Sequence, residues 1–130
     1  MEDLRAEMRE LEREMYQAAE ALESALIHQK GDVTYFLLDG DPQWLERLEE
    51  YRRTFKKRFD DALDLALSES QKELLERIES EYLRYIILKD QVIEVYKEGD
   101  TETVYRRDRE ESGHFSRVLQ LCEQYKEFYT

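Results

Sequence analysis

The strongest constraint on this chain is a ladder of apolar residues that advances alternately by four and three positions. Leu4, Met8, Leu11, Met15, Ala18, Leu22 and Ala25 follow it without a break. An α-helix returns to the same face every 3.6 residues, so a sustained 4-3 ladder draws one apolar seam along a helix and coils it gently around a partner. A half-buried strand would instead alternate by two. The residues between the rungs, among them Glu10, Glu12, Arg13 and Glu14, are charged and belong in water.

Three further ladders follow. Trp44, Leu48, Tyr51, Phe55, Phe59, Ala62 and Ala66 mark a second helix. Leu74, Ile78, Tyr85, Leu88, Val92 and Val95 mark a third, with Glu81 as a polar rung. Val104, Phe115, Val118, Cys122, Tyr125 and Tyr129 mark a fourth. At Asp39-Gly40-Asp41-Pro42, a glycine suited to the left-handed position past a helix end precedes an Asp cap and a proline that fits a first turn. Glu98-Gly99 closes the third helix in the same way, and Asp100 or Thr101 caps the fourth. Ser68 or Ser70 starts the third helix, the run Ser70-Gln71-Lys72-Glu73 matching a reciprocal capping box. Helices are therefore expected over about 2–39, 42–67, 70–98 and 101–129, within one domain spanning 1–130. Short connections make successive helices antiparallel neighbours. The expected fold class is all-α: an antiparallel up-down-up-down four-helix bundle of long helices, with both chain ends at one pole and both Gly-Asp turns at the other.

Composition narrows the function. Thirty-two acidic against twenty basic residues give a net charge of −12, which phosphate backbones and anionic lipid headgroups repel. Arg52, Arg53, Lys56, Lys57 and Arg58 are basic, but Glu46, Glu49, Glu50, Asp60 and Asp61 flank them, so the stretch reads as a salt-bridged helix face and no nucleic-acid partner is expected. Four Gly, one Pro and no Asn are too few turn formers for an all-β domain. The single Cys122 excludes an internal disulfide. No apolar run approaches the ~18 residues of a membrane span, so the chain as given is expected to be soluble.

The segments Tyr35-Phe36-Leu37-Leu38-Asp39-Gly40-Asp41-Pro42 and Val92-Ile93-Glu94-Val95-Tyr96-Lys97-Glu98-Gly99-Asp100 are similar to the knees between paired helices in a known class. Through them, and through pattern and spacing over nearly its whole length, the chain resembles the extracytoplasmic four-helix-bundle sensor domains of bacterial and archaeal histidine kinases and chemoreceptors. The resemblance implies a homodimeric signal-reception domain set between two transmembrane helices that lie outside this chain. A small-molecule or protein ligand would bind the distal part, and a piston, tilt or rotation of the terminal helices would carry the signal to output modules across the membrane. The chain has no phosphoacceptor His motif and no Gly-rich nucleotide loop, so it is expected to be neither the kinase nor another enzyme. The alternative reading is a cytoplasmic scaffolding bundle that grips partner helices. Leu26, Leu83 and Ile87, read as outer-face residues, are candidate dimer contacts.

Two seam interruptions fall at the same expected height. Continuing the ladder past Ala25 gives Gln29 and Asp32, and continuing from Val104 gives Asp108 and Glu111. Arg52 of the second helix lies near that level. Gln29, Asp32, Arg52, Asp108 and Glu111 thus form a candidate polar layer, either a ligand site or a register-fixing layer or a wet, splayed end of the bundle. His28 with Asp32, and Glu111 with His114, share helix faces at spacings that could hold a divalent metal. Only one Glu-x-x-His motif is present, whereas di-iron bundles use two, and lone His residues are commonly surface or capping groups, so no metal or other cofactor is expected. The tyrosines Tyr82, Tyr85, Tyr96, Tyr105, Tyr125 and Tyr129 read as core or interface, with an aromatic-ligand pocket as the competing use.

Overall fold

The computed structural model describes residues 2–129, and within them every side chain except those of Glu2, Glu110 and Glu111. It is all-helical, with four helices and no strand among the described residues: α1 (Glu2–Asp39), α2 (Gln43–Leu65), α3 (Glu69–Lys97) and α4 (Thr101–Glu127). α1 continues through Gly31 without interruption.

The helix ends are fixed by the local chemistry anticipated above, with two adjustments. Gly40 and Gly99 both take positive φ, 72° and 86°. Asp39 accepts hydrogen bonds from the Asp41 amide at 2.9 Å and from the Trp44 indole at 3.0 Å, and these donors hold its carboxyl below the usual carboxylate range. Pro42, rather than Asp41, occupies the N-cap position of α2, while Asp41 Oδ1 still accepts from the Gln43 amide at 3.0 Å. The capping box of α3 is built on Ser68 with Gln71, two residues earlier than the Ser70–Glu73 match. Asp100 caps α4 through Thr103.

Cross-helix pairs give the register. Along α1, His28, Asp32 and Tyr35 meet Tyr51, Arg47 and Trp44 of α2 in turn, so residue numbers rise on one helix as they fall on the other. Lys89 and Glu81 of α3 meet Asp108 and His114 of α4 in the same opposed sense. Glu23 of α1 meets Lys126 of α4 at 3.1 Å, and Phe36 of α1 packs on Tyr96 of α3. Glu14 and Ala18 border one surface depression with Leu65, which places the end of α2 beside that part of α1. The first dozen residues of α1 therefore run past the end of α2, and the seam residues there lack a cover: Leu4 is 61% and Met8 56% exposed.

The core is in two parts. The larger cluster holds Leu22, Leu26, Phe55, Phe59, Leu75, Ile78, Tyr85, Val118, Cys122 and Tyr125. A smaller one below the Gly-Asp turns holds Val33, Phe36, Leu48 and Ile93. Leu26 is fully buried, which corrects its assignment to the outer face; Leu83 and Ile87 are exposed. α1 faces more than one neighbour, so its buried stripe is two residues wide (Ala18-Ala19, Ala25-Leu26, Asp32-Val33), wider than a single ladder draws. Burial pushes the Cys122 thiol up to about 12, which keeps it protonated and inert.

A Cβ at Gly40 would stand 2.9 Å from the Tyr96 hydroxyl and on a positive φ, whereas one at Gly31 would meet nothing within 4 Å. Gly40→Ala is therefore expected to cost about 1–2 kcal/mol. Gly31→Ala, in mid-helix, is expected to gain up to about 1 kcal/mol. Urea unfolding of the two variants beside the parent chain measures both signs.

Candidate functional site

Between the two apolar clusters lie the three buried polar side chains of the described structure: Gln29, Asp32 and Lys89. Two of them are well partnered. Gln29 donates from Nε2 to the Tyr51 carbonyl at 3.2 Å and accepts from the Tyr82 hydroxyl at 3.0 Å, joining α1, α2 and α3 through one amide. Burial pushes the Tyr82 phenol up to about 12, so at neutral pH it remains the donor. Lys89, 5% exposed, donates to Asp108 Oδ1 at 2.6 Å, a short charge-assisted bond that joins α3 to α4. Lys89 Nζ also stands 5.8 Å from the centre of the Tyr85 ring.

Asp32 is different. It is 3% exposed, its Oδ1 lies 3.7 Å from Arg47 Nε, and its Oδ2 is buried with no hydrogen-bond partner. Desolvation raises its pKa, opposed by the nearby Arg47 and His28 charges. The carboxylate is thus the unsaturated member of the layer, able to accept one more donor.

The expected layer is assembled in part. Gln29, Asp32 and Asp108 are within it. Arg52 is not the partner of Asp32; it reaches Asp90 of α3 at 2.9 Å and Glu49 at 3.3 Å, and Arg47, five residues nearer the Gly-Asp end, takes its place. The side chain of Glu111 lies outside the described residues. His28 is exposed, with Nδ1 2.7 Å from the Ser24 carbonyl and its ring stacked on Tyr51. His114 Nδ1 lies 3.9 Å from Glu81. Among the described residues no group of three His, Cys, Asp or Glu side chains could hold a metal ion. Lys89 is the member that sequence reasoning missed. The signal was present: Ile78, Tyr82, Tyr85, Lys89 and Val92 form a 4-3-4-3 ladder, and reading Leu88 as the rung passed over it.

The two halves of the Lys89–Asp108 pair are unequal, because Asp108 keeps 40% of its side-chain surface in water. Asp108→Asn strands a buried ammonium and is expected to destabilise the fold by about 2–3 kcal/mol, less than a fully enclosed orphan because the lysine stem can carry its head outward. Lys89→Met leaves Asp108 hydrated and is expected to fall within about 1 kcal/mol of the parent. Thermal unfolding of both variants checks the asymmetry.

For Asp32 the sign follows from the raised pKa: the native state holds this proton more tightly than the unfolded state, so the group lowers stability once pH exceeds the ordinary value of 3.8 and has no such effect below it. Asp32→Asn is expected to be more stable than the parent at pH 7, with the difference shrinking as pH falls toward that value. Denaturant titrations across pH 3–7 measure it.

The geometry so far is a helical chain whose core is cut by a polar layer just below its turns. No described helix is long and apolar enough to cross a membrane. No curated protein and no solved structure matches the chain. The model of the CHASE3 domain matches it over residues 5–126, nearly its full length. The chain therefore belongs to the CHASE3 domain family, the extracellular sensory domains of signalling receptors.

Proposed function

We propose that this chain is the extracytoplasmic sensing module of a membrane-anchored receptor, a histidine kinase or chemoreceptor, and that it works as a homodimer without catalysis of its own. The opposed residue numbering of the α1–α2 and α3–α4 pairs, and of Glu23 with Lys126 and Lys30 with Phe115 between α1 and α4, supports an antiparallel up-down-up-down bundle. In that arrangement α1 and α4 begin and end at the membrane pole, and the Gly-Asp turns face the stimulus. A ligand or partner engages the distal half, and the terminal helices shift.

The observation that carries this reading is the interrupted core. The segment between the turns and the main cluster is held by a small apolar group and by the Gln29 and Lys89 contacts, so it can repack at lower cost than the continuous core beneath it. The dimer is supported by the exposed start of the α1 seam. Leu4 and Met8 continue the heptad of the buried rungs with nothing covering them, and a second copy of the same stripe is the natural partner for a heptad.

The test uses the membrane receptor that carries this chain, with Met8→Cys in a Cys122→Ala background. In intact cells the new thiol is expected to react with a membrane-impermeant maleimide and, under mild oxidation, to link two receptors. Labelling without cross-linking removes the dimer through this stripe but keeps the location. Labelling only after lysis removes the extracytoplasmic reading and favours a cytoplasmic scaffold.

A further inference from the structure

A groove of about 320 Å³ runs along the junction of α2 and α3, two helices that touch at few points. Its floor is aromatic. Phe55 and Tyr82 stack there with ring centroids 3.8 Å apart, and Phe59 extends the surface. Leu83, 48% exposed, and Ile86 form the α3 wall. A concave, mostly apolar surface with a few placed polar groups is the usual form of a small-ligand site, and this volume lies at the small end of the range.

The charges around it are sorted. The Phe55–Tyr82 stack and the Arg52–Asp90 pair set the register of α2 against α3, which places Arg53 near Ile86, Lys56 near Leu83 and Asp60 near Glu79. Two cations therefore stand at one end and two anions at the other. Arg52 is occupied by Glu49 and Asp90. Arg53, Lys56, Asp60 and Glu79 enter no ion pair among the described residues, although Lys56 and Asp60 are one turn apart and the adjacent Lys57 and Asp61 do pair, at 3.7 Å. Along the helix Asp60 lies about 6 Å from Lys56 and about 10 Å from Arg53, at 1.5 Å of rise per residue.

We propose that this groove binds a short apolar peptide with free ends, its carboxylate on Arg53 and Lys56 and its ammonium on Asp60 and Glu79. A di- or tripeptide separates its terminal charges by about 7–10 Å when extended, which matches the spacing. Its apolar side chains cover the Phe55–Tyr82 floor and Leu83. A free amino acid carries both charges on one carbon and cannot reach both ends. An apolar monoanion satisfies the basic end and leaves Asp60 and Glu79 unanswered. A second copy of the chain, related by a two-fold axis along the rod, would set each charged end against its own kind.

The test is calorimetric titration of the 130-residue chain with three probes: phenylalanyl-leucine with free ends, the same dipeptide acetylated and amidated, and free phenylalanine. The free dipeptide is expected to bind, with blocking of both ends, or replacement by phenylalanine, weakening it at least tenfold. Arg53→Gln with Lys56→Gln is expected to weaken the free dipeptide at least tenfold and to leave the blocked one unchanged. Asp60→Asn with Glu79→Gln is expected to do the same. All four positions are exposed, so the variants should retain the parent's helical circular dichroism. Absence of binding at millimolar peptide, equal binding of blocked and free forms, or indifference to both double variants overturns the proposal. The groove shares Tyr82 with the Gln29 contact, but none of its four charged residues belongs to the Gln29–Asp32–Lys89 layer, and the assay reads binding by the chain alone, so its failure leaves the receptor reading in place.

Discussion

Polar side chains held out of water between two apolar clusters set the terms for the rest of this structure. A heptad seam by itself tolerates slippage, because sliding one helix by seven residues restores most of its apolar contacts. Gln29 removes that freedom. Its amide needs the Tyr51 carbonyl and the Tyr82 hydroxyl together, and only one alignment of α1, α2 and α3 supplies both. Lys89 does the same for α3 and α4 through Asp108. The layer therefore specifies the alignment of the helices while weakening cohesion at its own height, since a buried ion pair returns little net stability over an apolar filling of equal volume.

This combination suits a family of sensory domains. A two-state element answers a weak stimulus only when its arrangements differ by a few kcal/mol. Asp32 adds an acceptor with one oxygen unmet, desolvated and held by a 3.7 Å contact to Arg47 where a close ion pair would be stronger. Its energy is correspondingly sensitive to small movements of α2.

Most of the fold was legible because it is written in local chemistry. Gly40 and Gly99 take the left-handed backbone that helix ends need, and Asp100 caps as its side chain dictates. The candidate layer was legible only where a polar residue broke a correctly phased ladder, at Gln29, Asp32 and Asp108. Phase was the weak point. In α3, Leu88 looked the better rung on hydrophobicity, yet Lys89 holds the buried position because its stem packs as an apolar side chain while its ammonium reaches Asp108. Leu26 was misplaced because one ladder cannot represent a helix that faces more than one neighbour. The choice of Arg47 over Arg52 was invisible, since a five-residue difference in height depends on packing between helices that no single-helix pattern encodes.

The hydroxyl of Tyr96 fills the space that a side chain at position 40 would occupy, and its ring packs on Phe36. A residue of α3 is thereby wedged into the bend between α1 and α2. The two helical halves are pinned to each other at that corner, like the blades of shears at their rivet. That corner therefore ties α3 to the α1–α2 bend through one side chain, so a change at Tyr96 reaches both halves at once.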